Sequence, residues 1–224
     1  MVNILKVSAI LLAAGKSSRF WPLNYRHKSL IRIMGKPLIE HVIDELKVLG
    51  IDDIVIVHRK DDASEIENLS KKFANMQIKG VLQSEPRGMW DAIILGSNKV
   101  EYDKLLIMNA HQLGLIDHIK KLITFDDEIV LTIRETKYPE KYGIVKIQGE
   151  YIRDLIEKPK REEAPSNLRI VGVYLFKKSI IDEISNFSRS TSKENEYILE
   201  EFLSNYAKRK GIKYLKLSKE PLSL

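Results

Sequence analysis

Apolar runs alternate with amphipathic segments through the first half of the chain. Short apolar runs predict buried strands, and apolar residues at helical spacing predict helices that pack against them. The predicted strands cover residues 7–12, 54–57, 76–82 and 104–108. The predicted helices cover residues 37–49, 63–73, 88–97 and 116–123, with Pro37 in the first turn of the first helix and Gly50 after its end. Residues 13–29 are expected to form a long loop. This alternation predicts a parallel sheet with helices on both faces.

The pattern changes after residue 125. Strand-like segments follow one another at 128–134, 143–147, 151–157 and 169–176, then helices at 178–187 and 194–210 and a last strand at 212–217. We therefore expect an α/β fold with a doubly wound, mostly parallel sheet and a strand-rich second lobe. The chain is expected to be one domain, residues 1–224, with halves 1–125 and 126–224. A ligand crevice is expected at the carboxyl ends of the first strands.

Composition narrows the function classes. The 224 residues are 44% hydrophobic and 30% charged, which allows a substantial core and excludes wholesale disorder. The absence of cysteine excludes disulfides, thiolate zinc sites and a cysteine nucleophile. The net charge of +6 suits phosphate-rich ligands, but no basic stretch is interleaved with aromatic residues, so nucleic acid is not expected as a partner. No apolar run approaches the roughly 20 residues of a membrane span, and we expect a soluble, cytoplasmic protein without a membrane partner.

The turn after the first strand has the chemistry of a phosphate site. Small residues and a glycine let backbone N–H groups approach a polyphosphate, while hydroxyl and cationic side chains add donors and positive charge. The candidate nucleotide-binding residues here are Leu12, Ala13, Ala14, Gly15, Lys16, Ser17 and Ser18, with Arg19 and Lys28 as cations. The segment is neither a Walker A motif, because Ile10 stands where that motif needs glycine, nor a G-x-G-x-x-G fingerprint. An ordinary glycine-containing loop is the alternative.

Five further segments follow in order. They are Gln83-Ser-Glu-Pro86-Arg-Gly88 with Ala92, Pro139-x-x-Tyr142-Gly143-Ile-Val, Glu157-Lys158-Pro159, Asn167 with Gly172-x-Tyr174-x-Phe176, and Glu196-Tyr-Ile-Leu. Together with Leu-Ala-Ala-Gly-x-x-x-Arg-x-x-Pro-Leu at the first strand, they resemble the sugar-phosphate nucleotidylyltransferases of the glucose-1-phosphate thymidylyl- and uridylyltransferase type. The resemblance covers residues 8–217 and implies a Rossmann-like fold of the nucleotide-diphospho-sugar transferase type.

The resemblance implies a reaction and a role for each matched residue. An oxygen of a sugar-1-phosphate would attack the α-phosphorus of a nucleoside triphosphate, giving an NDP-sugar and pyrophosphate. Arg19, Lys28 and Lys158 would be the catalytic cations, and Gln83, Pro86 and Gly88 would bind the base together with the turn of the first strand. The implied sugar-phosphate-binding residues are Tyr142, Gly143, Glu157, Gly172, Tyr174 and Glu196. The expected partners are the two substrates, and homo-oligomerisation is left open.

The chain departs from the family at one chemically important position. His111 stands where the family has the aspartate that binds magnesium, and imidazole is a poor ligand for that hard cation. Magnesium is expected from the resemblance, with manganese as the alternative and His111 as the doubtful ligand, titrating with a near-normal pKa. A second family carboxylate, in a Trp-x-Asp segment, has no counterpart before Leu224. Either the chain is a portion of a longer one or the metal site is altered.

Two other functions remain open at this stage. One is a catalytically impaired homologue that binds a nucleotide or a sugar nucleotide, which the change at His111 favours. The other is a cytidylyltransferase for a non-sugar phosphate such as phosphocholine, which the intact Glu157-Lys158-Pro159 segment disfavours only moderately.

Overall fold

A computed structural model describes residues 6–15, 17, 26–191 and 198–223. Within them the strands are β1 (Val7–Ala13), β2 (Arg32–Ile33), β3 (Lys36–Pro37), β4 (Asp53–His58), β5 (Gln77–Leu82), β6 (Lys104–Asn109), β7 (Gln112–Leu113), β8 (Ile129–Glu135), β9 (Gly143–Gln148), β10 (Tyr151–Glu157), β11 (Leu168–Lys177), β12 (Ile212–Lys216) and β13 (Leu222–Ser223). The α-helices are α1 (Leu38–Val48), α2 (Ala63–Lys72), α3 (Met89–Ser97), α4 (Ile116–Leu122), α5 (Ser179–Ser190) and α6 (Ile198–Arg209). No helix among the described residues is long and apolar enough to cross a membrane.

One nine-stranded sheet runs through both halves of the chain, in the order β5-β4-β1-β6-β11-β8-β12-β10-β9. The first four strands in this order are mutually parallel, as the strand–helix alternation predicts. From β6 onward the neighbours are antiparallel, except that β12 runs parallel to β8. The α/β class and the strand-rich second half are confirmed. The second half does not form a separate sheet, because β11 pairs directly with β6.

Side chains of β1 alternate between two hydrophobic cores, which explains why every residue of this strand except Ser8 is apolar. Ala9 and Leu11 face a core built with α1, α2 and α4. Ile10 faces the opposite core, built with α3, α5 and α6. Helices therefore cover both faces of the sheet, as predicted.

The boundaries of the predicted elements differ from the observed ones by a few residues. Both ends of the expected loop over residues 13–29 belong to regular elements, because β1 includes Ala13 and a 3₁₀ turn covers Lys28–Leu30; residues 16 and 18–25 lie outside the described residues. Pro37 lies just before α1 rather than within it. Four two-residue strands, β2, β3, β7 and β13, were not predicted.

Candidate functional site

The predicted phosphate turn lies at the carboxyl end of β1, in the middle of the parallel strands. Leu12 pairs with Asn109 of β6, and its carbonyl accepts a hydrogen bond from the backbone N–H of Ala110 at 3.2 Å. Ala13 and Ala14 are buried, while Gly15 is exposed. Three of the predicted site residues in this segment lie outside the described residues: Lys16, Ser18 and Arg19.

Lys28 is held beside this turn by its backbone. Its N–H donates to the Ser17 hydroxyl at 3.1 Å, and Ser17 has a φ of 50°. Lys28 also begins the 3₁₀ turn that continues to Leu30. The structure therefore brings together Gly15, Ser17 and Lys28, as the sequence predicts for a phosphate site.

The predicted base-binding loop follows β5. The amide nitrogen of Gln83 donates to the carbonyl oxygen of Gly88 at 3.1 Å and to Asp91 Oδ2 at 2.8 Å. Both amide hydrogens are used, so the side chain presents its Oε1 as a hydrogen-bond acceptor. Gly88 has a φ of 113° and directly precedes α3. Pro86 lies in the exposed turn between Gln83 and Gly88.

A contact between β6 and β11 connects the two halves of the site. A Cβ atom at Gly172 would lie 3.1 Å from Asn109 Cγ, and the amide nitrogen of Asn109 is closer still. The pairing of β11 with β8 shifts register between Ile170 and Tyr174, which marks a bulge centred on this glycine. The missing side chain at position 172 makes room for the Asn109 amide beside the paired strands β6 and β11.

Three of the six predicted sugar-phosphate residues lie at the start of β9 and the end of β10: Tyr142, Gly143 and Glu157. Gly143 pairs with Glu157, and a Cβ at Gly143 would lie 2.8 Å from Glu157 Oε2 and 3.2 Å from Ile170 Cδ1. Glycine at position 143 therefore makes room for the carboxylate. Lys158 follows with a φ of 45°, its N–H donates to the Tyr142 carbonyl at 3.0 Å, and its ammonium lies 3.6 Å from Glu157 Oε1.

Tyr174 is buried in the same region. Burial raises the pKa of its hydroxyl strongly, and the carboxylates of Glu200 and Glu157 add to the effect. These groups thus lie within electrostatic reach of one another. A neighbouring cavity of about 530 Å³ is lined by residues of β10 and α6, among them Glu157, Lys158, Glu200, Ser204 and Lys208. Glu196, predicted for this subsite, lies outside the described residues.

His111 follows β6 and is buried, with 9% of its surface exposed. Burial lowers the pKa of its imidazole to about 3, and electrostatic interactions with Lys28 and His27 act in the same direction. The expectation of a near-normal pKa is wrong, because an imidazole cut off from water near a cation resists protonation. His111 Nδ1 is buried, and no described residue forms a hydrogen bond with it.

The described residues do not fit a magnesium ion. Within them no group of three or more His, Asp or Glu side chains could hold a metal. The neighbours that perturb His111 are a cation and a second imidazole, and neither offers the oxygen ligands that magnesium prefers. The described residues around His111, the position at which the family has its aspartate, therefore do not form a magnesium site.

Sequence reasoning missed three residues of this region. Asn109 lies at the carboxyl end of a central strand, which is itself a signal of a site position. His27 packs edge-on against His111 with ring centroids 6.2 Å apart. Arg169 stacks over the Tyr142 ring at 4.5 Å and pairs with Glu220 at 2.7 Å. No local pattern reveals the last two contacts, because each joins segments far apart in the chain.

The fold and these residues define a class: an α/β protein with a candidate phosphate-binding turn at the carboxyl end of β1, within a set of parallel strands. Comparison with known proteins gives the family. Residues 8–219 match the model of the nucleotidyl transferase family, NTP_transferase. The chain belongs to the nucleotidyl transferase family.

The chain is similar to several named proteins. The bifunctional protein GlmU of Methanococcus maripaludis (strain C7) is 30% identical over 192 residues, which are 85% of this chain and 45% of that protein. The UTP–glucose-1-phosphate uridylyltransferase AglF of Haloferax volcanii is 29% identical over 181 residues, 78% of this chain and 73% of AglF. A solved structure from Bacillus anthracis, assigned as a glucose-1-phosphate thymidylyltransferase, has a TM-score of 0.81 at 22% identity and covers 97% of this chain and 89% of its own. The chain spans about half the length of the first curated relatives it matches.

Proposed function

We propose that this chain is a nucleotidyltransferase that joins a nucleoside triphosphate to a sugar-1-phosphate, releasing pyrophosphate and an NDP-sugar. The carrying observation is a chain of contacts between the two groups of predicted residues. The phosphate turn at Gly15 ends β1, next to the contact between Asn109 of β6 and Gly172 of β11, and Gly143 and the Glu157 carboxylate lie beside Ile170, two residues before that glycine. Relatives named as uridylyltransferases for glucose-1-phosphate support the substrate classes. We also propose that residues 1–224 act as one domain, with the first half binding the nucleotide and the second half the sugar phosphate.

The chemistry needs no protein nucleophile, because the attacking phosphate oxygen is already anionic. This chain must neutralise the negative charge of two polyanionic substrates and hold them in the orientation for reaction. In the proposal Lys28 neutralises the α-phosphate, Lys158 holds the sugar phosphate, and Arg19 holds the leaving pyrophosphate. The Gly15 turn, with Lys16, Ser17 and Ser18, contributes donors to the phosphates.

The remaining predicted residues would orient the substrates. Gln83 Oε1 would accept a hydrogen bond from a base N–H, since both amide hydrogens already bind Gly88 and Asp91. The Glu157 carboxylate, which fits against Gly143 because that residue has no side chain, would accept hydrogen bonds from sugar hydroxyls. Further contacts with the sugar phosphate would come from Tyr142, Gly172, Tyr174 and Glu196. The metal expectation, magnesium or manganese, stays a prediction without assigned ligands. Consumption of nucleoside triphosphates fits a cytoplasmic location.

The test is a pyrophosphate-release screen of the four ribonucleotides and dTTP against a panel of sugar-1-phosphates, with phosphocholine and CTP included. Release with one sugar-1-phosphate and one nucleotide supports the proposal. Turnover only with phosphocholine and CTP would replace the substrate class. Each positive pair is confirmed by mass spectrometry of the nucleotide product.

Arg19→Ala tests the pyrophosphate-binding role directly. We expect nucleotide affinity to fall by about 1.5–3 kcal/mol, as for a hydrogen bond to a charged group, measured by calorimetric titration. Arg32→Ala is the control, because its guanidinium bonds the Gly35 carbonyl in an exposed turn. Unchanged nucleotide affinity in Arg19→Ala would contradict the assignment.

A second candidate is a binding protein without turnover. The observation in its favour is the absence of a metal-binding cluster around His111 within the described ranges. In that case the screen gives no pyrophosphate with any pair, while calorimetry detects nucleotide binding that Arg19→Ala weakens.

A further inference from the structure

Hydrogen bonds to the His27 ring determine which of its two nitrogens carries the proton. The backbone N–H of Ser29 donates to His27 Nδ1 at 3.2 Å, and the Ser29 hydroxyl lies 2.8 Å from the same nitrogen. A backbone N–H can only donate, so Nδ1 is the acceptor. A neutral His27 therefore carries its proton on Nε2.

His27 Nε2 faces the phosphate turn. It lies 3.8 Å from the place that a Cβ at Gly15 would occupy, and none of the described residues accepts a hydrogen bond from it. The side chain is otherwise enclosed, with 4% of its surface exposed. A single N–H donor thus points from a buried ring toward the glycine at the end of β1.

The ring is uncharged at neutral pH. Burial lowers the pKa of His27 to about 3, and the positive charges of Arg59 and Lys28 act in the same direction. His111, also neutral, packs against its edge. An uncharged donor can stand beside Lys28 without electrostatic repulsion, which a second cation could not do.

We propose that His27 is a polyphosphate-binding residue that donates a hydrogen bond from Nε2–H to a phosphate oxygen at the Gly15 turn. Ser29 is the positioning residue, because it keeps Nδ1 as an acceptor and thereby keeps the proton on Nε2. The inference rests on the proposed function for the identity of the anion, the triphosphate of a nucleotide.

The adjacent imidazoles of His27 and His111 could instead be two ligands of one transition-metal ion. The hydrogen bonding argues against this, because the nitrogen that faces the crevice carries a proton and has no lone pair for a metal. Lys28 lies close enough to lower the pKa of both rings, and a cation there favours an anion over a metal ion.

The binding test uses inorganic tripolyphosphate and UTP as probes, titrated calorimetrically in EDTA. We expect His27→Phe to weaken both by about tenfold or more, and His27→Gln, which keeps an N–H donor, to lose about threefold or less. His118→Phe, on α4 away from the turn, is the matched control. Because the imidazole is neutral, His27→Phe should leave the salt dependence of binding unchanged, whereas Lys28→Gln should reduce it.

Nitrogen-15 NMR of the wild-type imidazoles tests the proton position without any substitution. We expect the Nε2–H tautomer for His27 at neutral pH and a shift of its Nε2 proton resonance on addition of tripolyphosphate. An Nδ1–H tautomer or a charged ring would overturn the proposal even if the Phe variant does not fold.

The other outcomes separate this inference from the proposed function. Normal tripolyphosphate and UTP binding by a folded His27→Phe would overturn the role of His27 alone. Zinc binding by the wild type that is lost in both His27→Phe and His111→Phe would overturn it in favour of a metal pair. No binding of either probe by the wild type would contradict the proposed nucleotide site as well.

Discussion

The side-chain amide of Asn109 occupies the space in which a Cβ atom of residue 172 would lie. Asn109 ends β6, directly beside the last residues of β1, and Gly172 lies in the bulge of β11. In the proposed function this contact would lie between the nucleotide and sugar-phosphate subsites. Strand pairing, rather than a linker or a hinge, would then set the distance between them.

Gly172→Ala should force the Asn109 amide to move. We expect a loss of about 1–3 kcal/mol in the free energy of unfolding, the usual cost of overpacking, measured by urea denaturation. Asn109→Ala made in the same background should recover part of that loss, which a double-mutant cycle detects. Strictly additive effects of the two substitutions would show that the contact is not the source of the cost.

Lys158→Met should raise the KM for the sugar-1-phosphate about tenfold or more and leave the KM for the nucleotide nearly unchanged. Methionine keeps the length of the side chain and its Cβ, so the backbone strain at a φ of 45° is the same in both proteins. Lys160→Met is the matched control, since Lys160 is an exposed neighbour that pairs with Glu163. Equal losses for both substrates would place Lys158 on the wrong side of the crevice.

His111→Asp should give the site the carboxylate that magnesium prefers. We expect wild-type turnover to be higher with manganese than with magnesium, and the substitution to raise turnover with magnesium. His111→Asn, equal in size but uncharged, is the control. Brisk wild-type turnover with magnesium and no gain in His111→Asp would mean that this position has no part in metal binding.

Three histidines should make the fold sensitive to acid. The pKa values of His27 and His111 are lowered to about 3 and that of His118 to about 4, in each case mainly by burial. The unfolded chain protonates these rings near pH 6.5, so it binds more protons than the folded chain between about pH 6.5 and 3. Stability therefore falls as the pH drops through this window, by roughly 2 kcal/mol for each of His27 and His111 between about pH 7 and 5.

His118→Gln isolates one of these contributions away from the site. His118 Nε2 lies 2.9 Å from the Thr132 hydroxyl, a partner that an amide can keep. Urea denaturation at several pH values should show a shallower acid slope for the variant, by close to one proton. An unchanged slope would mean that His118 protonates in the folded protein near its ordinary pKa.

The long elements of this fold were predictable because their signals are local. The apolar run of β1 and the helical spacing in α1 each identify an element without reference to the rest of the chain. β2, β3, β7 and β13 contain two residues each, too few to show any period. The insertion of β11 between β6 and β8 was not predictable either, because it depends on pairing between distant segments.

The candidate site likewise contains residues that a local motif predicts and contacts that no local motif predicts. The Gly15 turn, Gln83 and the Glu157–Lys158 pair could be proposed from the sequence because each lies in a contiguous motif. The Asn109–Gly172 contact, the His27–His111 packing and the stacking of Arg169 on Tyr142 bring distant segments together, and no single stretch of sequence encodes them. The depressed pKa of His111 was missed for the same reason, since burial is a property of the folded molecule.

The place of β11 has a consequence for the newly made chain. β6 is the last strand that the first half contributes to the nine-stranded sheet, and its free edge is covered only when β11 arrives about sixty residues later. Until then a ribosome-bound chain exposes a row of unpaired backbone groups on an apolar strand, which is a template for pairing with other chains. Synthesis halted after α4 should therefore yield an aggregation-prone fragment.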